Sequence, residues 1–181
     1  MDPDGNGDEK SFFQKLVNLY NLQARVDQIV TGAEKTDARF SLTEEMIKGL
    51  HRIAMYKLLD EAGEYRKTSV KINSSSHVPP NWIEIPALMG TLCAYINENW
   101  ENRDLIHLSA FCLWRLNWIH PFLNGNGRTA RALSYLVMCL RHGKILPAKN
   151  TVHQQIVAIK SEYSAKLGQA DIIYASTGSI D

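Results

Sequence analysis

His120-Pro-Phe-Leu-Asn-Gly-Asn-Gly-Arg-Thr-Ala-Arg131 lies between two strongly helical stretches. Gly125 and Gly127 let backbone N–H groups come close to a ligand, because no Cβ stands in the way. The helix that starts at about Asn126 points its free N–H groups and its positive dipole end back at this loop, which makes an anion site. Arg128 and Arg131 are three apart, so they project from one helix face. Two guanidinium forks at a helix N-terminus match phosphate oxygens. His120 is the one side chain of the loop that exchanges protons near pH 7.

Upstream, Leu105–Trp118 is apolar on most of its circumference and reads as a central buried helix, capped by Asp104 or Asn102. Downstream, Gly127–His142 reads as a helix closed by Gly143. Further out the pattern stays helical. Ser11 to about Val30 places Phe12, Phe13, Leu16, Leu19, Tyr20 and Val26 at helical spacing. Ser41-Leu-Thr-Glu44 has the form of a capping box, which predicts a helix to about Asp60. Pro86 suits the first turn of a helix carrying Leu88 to Trp100. Thr151–Leu167 reads as the last helix, ended by Gly168. The exception is 63–80. There Ser69 to Ile72 alternate, Asn73 to Ser76 have turn composition and Pro79-Pro80 stops a second strand, which predicts a short β-hairpin with an exposed edge. The expected organisation is a disordered segment 1–10, one domain over 11–168 and a tail over 169–181.

The protein has 181 residues, 45% hydrophobic and 22% charged, the balance of a globular domain with a core. No run reaches the roughly 20 apolar residues of a membrane span, and Met1–Lys10 has no apolar signal region. Three cysteines cannot all pair, so Cys93, Cys112 and Cys139 read as buried thiols in a reducing, cytoplasmic compartment. A net charge of +1 argues against a globally basic nucleic-acid binder. That figure hides an asymmetry: residues 105–161 hold seven Lys or Arg and no acid, which suggests an anionic ligand.

Other readings of the loop fail on context. Gly125-Asn-Gly-Arg-Thr-Ala130 matches a dinucleotide-binding fingerprint formally. It lacks both the preceding strand and the acid about 20 residues later. No Gly-Lys-Ser/Thr follows, so it is not a P-loop. His51, His77, His107, His142 and His153 read as ordinary buried, satisfied histidines.

The loop resembles the motif of the Fic (Fido) family, His-Pro-Phe-x-(Asp/Glu)-Gly-Asn-Gly-Arg-x-x-Arg, with eight of nine specified positions in agreement. Gly63-Glu-Tyr-Arg66, Val70-Lys-Ile72 and Pro79-Pro80 resemble that family's flap, and the likeness extends over roughly 40–168. It implies an all-α helical bundle with a short β-hairpin flap. It also implies a protein adenylyltransferase that moves AMP from ATP to a Ser, Thr or Tyr hydroxyl of a target protein and releases pyrophosphate. By that resemblance His120 is the general base. Gly125, Asn126 and Gly127 hold the α-phosphate, and Arg128 and Arg131 bind the β- and γ-phosphates. Phe122 packs inward, and Val70, Lys71 and Ile72 dock the target by strand addition. The family's acidic metal ligand is Asn124 here. A neutral amide is a weaker ligand than a carboxylate for Mg²⁺, which phosphates and water then hold. Two alternatives stay open: a catalytically weak nucleotide- or partner-binding module, and a transferase with another phosphate-containing donor. The family's inhibitory (Ser/Thr)-x-x-x-Glu-(Gly/Asn) helix has no match here. That element is either supplied in trans by an antitoxin-like partner, absent, or outside this chain.

Overall fold

Apolar residues along each helical stretch converge on one central pair of helices. The computed structural model describes residues 6–35, 40–72, 75, 77–147, 155 and 158–178. The helices among them are α1 (Asn6–Ala33), α2 (Glu44–Ala54), α3 (Ile85–Glu98), α4 (Leu105–Ile119), α5 (Asn126–His142) and α6 (Lys160–Thr177). The most extensive packing is between α4 and α5. Leu108, Cys112, Leu116 and Ile119 of α4 and Ala130, Leu133, Leu136 and Val137 of α5 are all fully buried. Where the pair crosses, Ser109 Oγ lies 2.8 Å from Ser134 Oγ and donates to Ser134 O at 3.0 Å. Small side chains at this crossing keep the helices close. Helices α1 and α2 pack on α5, while α3 and α6 pack on α4.

Local chemistry explains the helix ends. Asp104 caps α4, accepting from Ile106 N at 2.9 Å and His107 N at 2.8 Å. Gly143, at φ 82°, closes α5. A 3₁₀ turn, Trp82–Glu84, leads into α3, and Pro86 stands in its first turn. Asn97 fixes the approach to α2 by accepting from Leu42 N at 2.7 Å and donating to Leu42 O at 2.9 Å.

Several boundaries differ from the sequence expectation. Asn6–Lys10, expected to be disordered, belong to α1. Thr43, not Ser41, caps α2, with its Oγ1 accepting from Met46 N at 3.2 Å. Because the cap lies two residues later, Met46 takes the N3 position and no reciprocal box forms. Helix α2 stops at Ala54, short of Asp60, in a turn where Lys57 takes φ 56°. Trp100 lies just past α3 yet is buried. Helix α6 runs through Gly168 to Thr177, so most of the expected tail is helical. A single glycine in a helix costs only about 1 kcal/mol, which packing overrides. The expected helix over 151–154 and parts of 155–159 lies outside the described residues, as does His153. No β-strand forms among the described residues of 63–80, while Asn73, Ser74 and Ser76 lie outside them. Cys93, Cys112 and Cys139 are buried free thiols. His142 is exposed, against expectation. Among the described residues no helix is long and apolar enough to cross a membrane.

Candidate active site

Helix α4 ends where proline demands it. A residue before proline is disfavoured in the right-handed helical region, and His120 precedes Pro121. His120 N still donates to Leu116 O at 3.0 Å, but the residue turns to φ 50° and ψ 56°. A non-glycine residue in that left-handed region costs roughly 1–2 kcal/mol, so its surroundings must hold it there. Its Nδ1 sits 3.2 Å from Asn117 O. A carbonyl only accepts, so Nδ1 carries the proton and the Nε2 lone pair is left free. Burial pushes the His120 pKa down, and Arg66 and His77 push it the same way against the raising effect of the Asn117 bond. The imidazole is therefore neutral near pH 7 and able to accept a proton.

The loop beyond is built around Phe122, which is fully buried. Its ring stacks on His51 with centroids 3.7 Å apart and planes 4° apart, and tilts against Tyr65 at 5.6 Å. Asn126 clamps the same residue twice, with Oδ1 accepting from Phe122 N at 2.9 Å and Nδ2 donating to Phe122 O at 2.8 Å. The Asn126 carboxamide braces the loop, and only its main-chain N–H is left to face a phosphate. Gly125 stands at φ 76°, and a Cβ there would lie 2.5 Å from Met55 Sδ and 3.2 Å from His51 Nε2. No side chain caps α5. Its first intrahelical bond is Thr129 N to Gly125 O at 3.0 Å, so the N–H groups of Asn126, Gly127 and Arg128 have no helical partner.

Arg128 and Arg131 stand half-buried on the first turns of α5. Arg128 Nη1 donates to Ala54 O at 3.1 Å, at the end of α2. Arg131 lies over Gly127, where an added Cβ would meet its Nη1 at 3.2 Å, and beside Tyr163 of α6. Desolvation lowers the pKa of both guanidinium groups. Asn124 is exposed, and its Oδ1 accepts from Gly125 N at 2.7 Å. Among the described residues no group of three His, Cys, Asp or Glu side chains is placed to hold a metal ion. One neutral amide oxygen already holding an N–H does not fit a divalent cation.

His120 opens on a cleft of about 410 Å³, whose walls include Ile72 and His77, Asn117 and Trp118 of α4, and Ser164 and Asp171 of α6. Val70 and Ile72 are half-buried and Lys71 is exposed, so only Ile72 of the three lines the cleft. Helix α6 is tied across this wall. Trp114 Nε1 donates to Asp171 Oδ1 at 2.8 Å, and the other carboxylate oxygen is 3.6 Å from His77 Nδ1. Arg115 lies between the Trp118 and Tyr174 rings, 4.4 Å and 4.5 Å from their centroids.

Sequence reasoning did not find three of these supports: Arg66, which bonds the His120 carbonyl at 2.8 Å, Asp171, and the role of His51. His51 is buried and satisfied as expected, accepting from Gly63 N at 2.8 Å on Nδ1 and donating from Nε2 to Asn124 O at 2.9 Å. Burial, with Arg128 and Arg52 adding to it, lowers its pKa to about 4 against the raising effect of the Asn124 bond. The apolar run following Asp171 was the available signal for α6.

The model of the Fic/DOC family matches residues 41–138. The protein adenylyltransferase Fic of Drosophila grimshawi is 36% identical over 74 residues, which cover 40% of this chain and 15% of that protein. The protein of the same name from Nematostella vectensis is 37% identical over 79 residues, covering 43% of this chain and 18% of its own length. The crystal structure of a Fic family protein from Desulfovibrio desulfuricans G20 superposes with a TM-score of 0.66 and 27% identity, covering 84% of this chain and 45% of that one. The matches therefore span less than a fifth of the two sequence relatives and under half of the structural one.

Proposed function

The chain belongs to the Fic/DOC family, and on that premise we propose that it is a protein adenylyltransferase that moves AMP from ATP to a Ser, Thr or Tyr hydroxyl of a target protein. The observation that carries this reading is His120: a neutral imidazole, with Nδ1 bonded to Asn117 O, held beside the uncapped start of α5. The N–H groups of Asn126, Gly127 and Arg128 hold the α-phosphate oxygens, where negative charge builds as the bond to the acceptor forms. Gly125 and Gly127 leave room for that approach. Arg128 and Arg131 take the β- and γ-phosphates. The acceptor oxygen attacks the α-phosphorus, and Nε2 of His120 takes its proton. The bond to the bridging oxygen breaks, and pyrophosphate leaves with the displaced electron pair, neutralised by the two arginines. A positioned base of this kind contributes about 10²–10⁴-fold in rate. The target segment lies along Val70–Ile72, paired through backbone hydrogen bonds. Any magnesium bound with the nucleotide would be held by its phosphates and water, since Asn124 offers no anionic oxygen.

Asn124 favours a second reading, a catalytically weak nucleotide- or partner-binding module, because no anionic ligand stands where the family places one. Incubating the protein with a cell lysate and ATP labelled at either the α- or the γ-phosphate decides between them. AMP transfer labels a target band from α-labelled ATP only, phosphate transfer labels it from γ-labelled ATP, and a binding module labels none.

A further inference from the structure

Arg66 is a buried cation, 2% exposed, and every partner of its guanidinium is a carbonyl oxygen. Nε donates to His120 O at 2.8 Å, Nη1 to Thr68 O at 2.9 Å, and Nη2 to Pro80 O at 2.7 Å and, at the limit of bonding, to Ile119 O at 3.5 Å. Its main-chain N–H donates to Pro121 O at 2.9 Å. Two of these acceptors, Ile119 and His120, close α4, the negative end of the helix dipole. A guanidinium is stable there without a carboxylate.

The fork spans two structures that the function needs together. Thr68 and Pro80 flank the segment holding Val70, Lys71 and Ile72. His120 and Pro121 carry the strained turn that aims the imidazole. With both carbonyls of that turn bonded to one residue, the 120–121 and 121–122 peptide planes cannot rotate independently. We propose that Arg66 is a positioning residue that fixes the left-handed backbone of His120 and ties it to both ends of the target-docking segment, so that base and docking segment keep one geometry. The proposal rests on the reading of His120 as the base. Arg66 never touches ATP in it, so its effect falls on turnover and not on nucleotide affinity. Its charge also acts on the imidazole. Arg66 is the fixed cation facing His120, with His77 beside it and Asp171 facing His77 across the cleft. Removing the Arg66 charge raises the His120 pKa, because the guanidinium no longer opposes a charge on the imidazole.

Arg66→Lys and Arg66→Met test this in the full chain. Lysine keeps the charge and loses the fork, while methionine loses both. In transfer assays both lower kcat by about 10²-fold, the cost of a small misplacement of a reacting group, with the KM for ATP within about threefold. The acid limb of the kcat–pH profile stays in place for Arg66→Lys and moves to higher pH for Arg66→Met. Imidazole NMR reads the same coupling without activity: the His120 ring signals shift in both variants, and the titration midpoint rises only in Arg66→Met. A folded Arg66→Lys with wild-type kcat and unshifted His120 signals overturns the proposal. So does failure of both variants to fold, since a positioning role leaves the helical core standing. Shifted His120 signals in a chain that transfers no AMP remove the adenylyltransferase reading and retain the positioning.

Discussion

Gly125 and Gly127 lie two residues apart, yet alanine should act on them in opposite ways. At Gly125 the backbone is left-handed, at φ 76°, which costs an alanine roughly 1–2 kcal/mol. The new Cβ would also lie 2.5 Å from Sδ and 2.7 Å from Cγ of Met55, which is buried and has no solvent to swing into. Overpacking of that kind costs about 1–3 kcal/mol. Together Gly125→Ala should lose about 2–5 kcal/mol. For a chain of this size each kcal/mol is worth about 2–4 °C, so Tm should fall by roughly 4–20 °C. At Gly127 the φ is ordinary, and the nearest contact is the Nη1 of Arg131 at 3.2 Å, the far end of a flexible side chain. Alanine in a helix gains up to about 1 kcal/mol over glycine. Gly127→Ala should therefore hold or raise Tm, while weakening ATP because the Arg131 head must move and the free N–H groups are crowded. Thermal unfolding by circular dichroism and ATP calorimetry on both variants check this. A Gly125→Ala protein melting within about 2 °C of wild type would refute the packing argument, as would a Gly127→Ala protein that loses as much stability as Gly125→Ala.

Arg128→Ala and Arg131→Ala should weaken ATP more than AMP, by about 1.5–3 kcal/mol for each lost charge-assisted bond, and equal losses by calorimetry would place the pair elsewhere. Asn124→Asp should lower the magnesium midpoint of transfer, because it restores an anionic oxygen at nearly the same volume while keeping an acceptor for Gly125 N; an unchanged midpoint and rate would show that Asn124 does not face the ion. Stability should depend on pH through His51. Its pKa falls from an ordinary 6.5 to about 4, first through burial and then through Arg128 and Arg52, so the unfolded chain binds a proton that the folded chain refuses in that window. The stabilisation is present above about pH 6.5 and is lost progressively toward about pH 4, with a magnitude of about 3 kcal/mol. Urea midpoints that stay flat across that window would contradict it.

Local signals made most of the helical frame legible. The near-continuous apolar circumference of 105–118 marked the buried central helix, Asp104 or Asn102 its start, of which Asp104 caps it, and Gly143 the end of α5. The same loop residues that suggested an anion site do stand at an uncapped helix start. What escaped the sequence is what depends on distant partners. Nothing near His51 announces that its ring stacks on Phe122, because that pairing exists only once α2 lies against α5. The family resemblance makes Asn126 a phosphate ligand, and only the folded loop shows its carboxamide turned back onto Phe122. Ser41 and Thr43 are equally good caps by residue type, and the Asn97 grip on Leu42 decides where the chain turns into α2. Gly168 reads as a stop, but Asp171 and Tyr174 beyond it bond to Trp114 and Arg115 and keep the helix going.

His120 is proposed to act as the base on a target hydroxyl while α5 and its arginines hold the nucleotide. Paired measurement of AMP transfer and ATP affinity in His120→Ala tests it most directly. The base acts on the acceptor and not on the phosphates, so transfer from α-labelled ATP should be abolished while the Kd for ATP stays within about threefold. A His120→Ala protein that transfers AMP at the wild-type rate would contradict the claim.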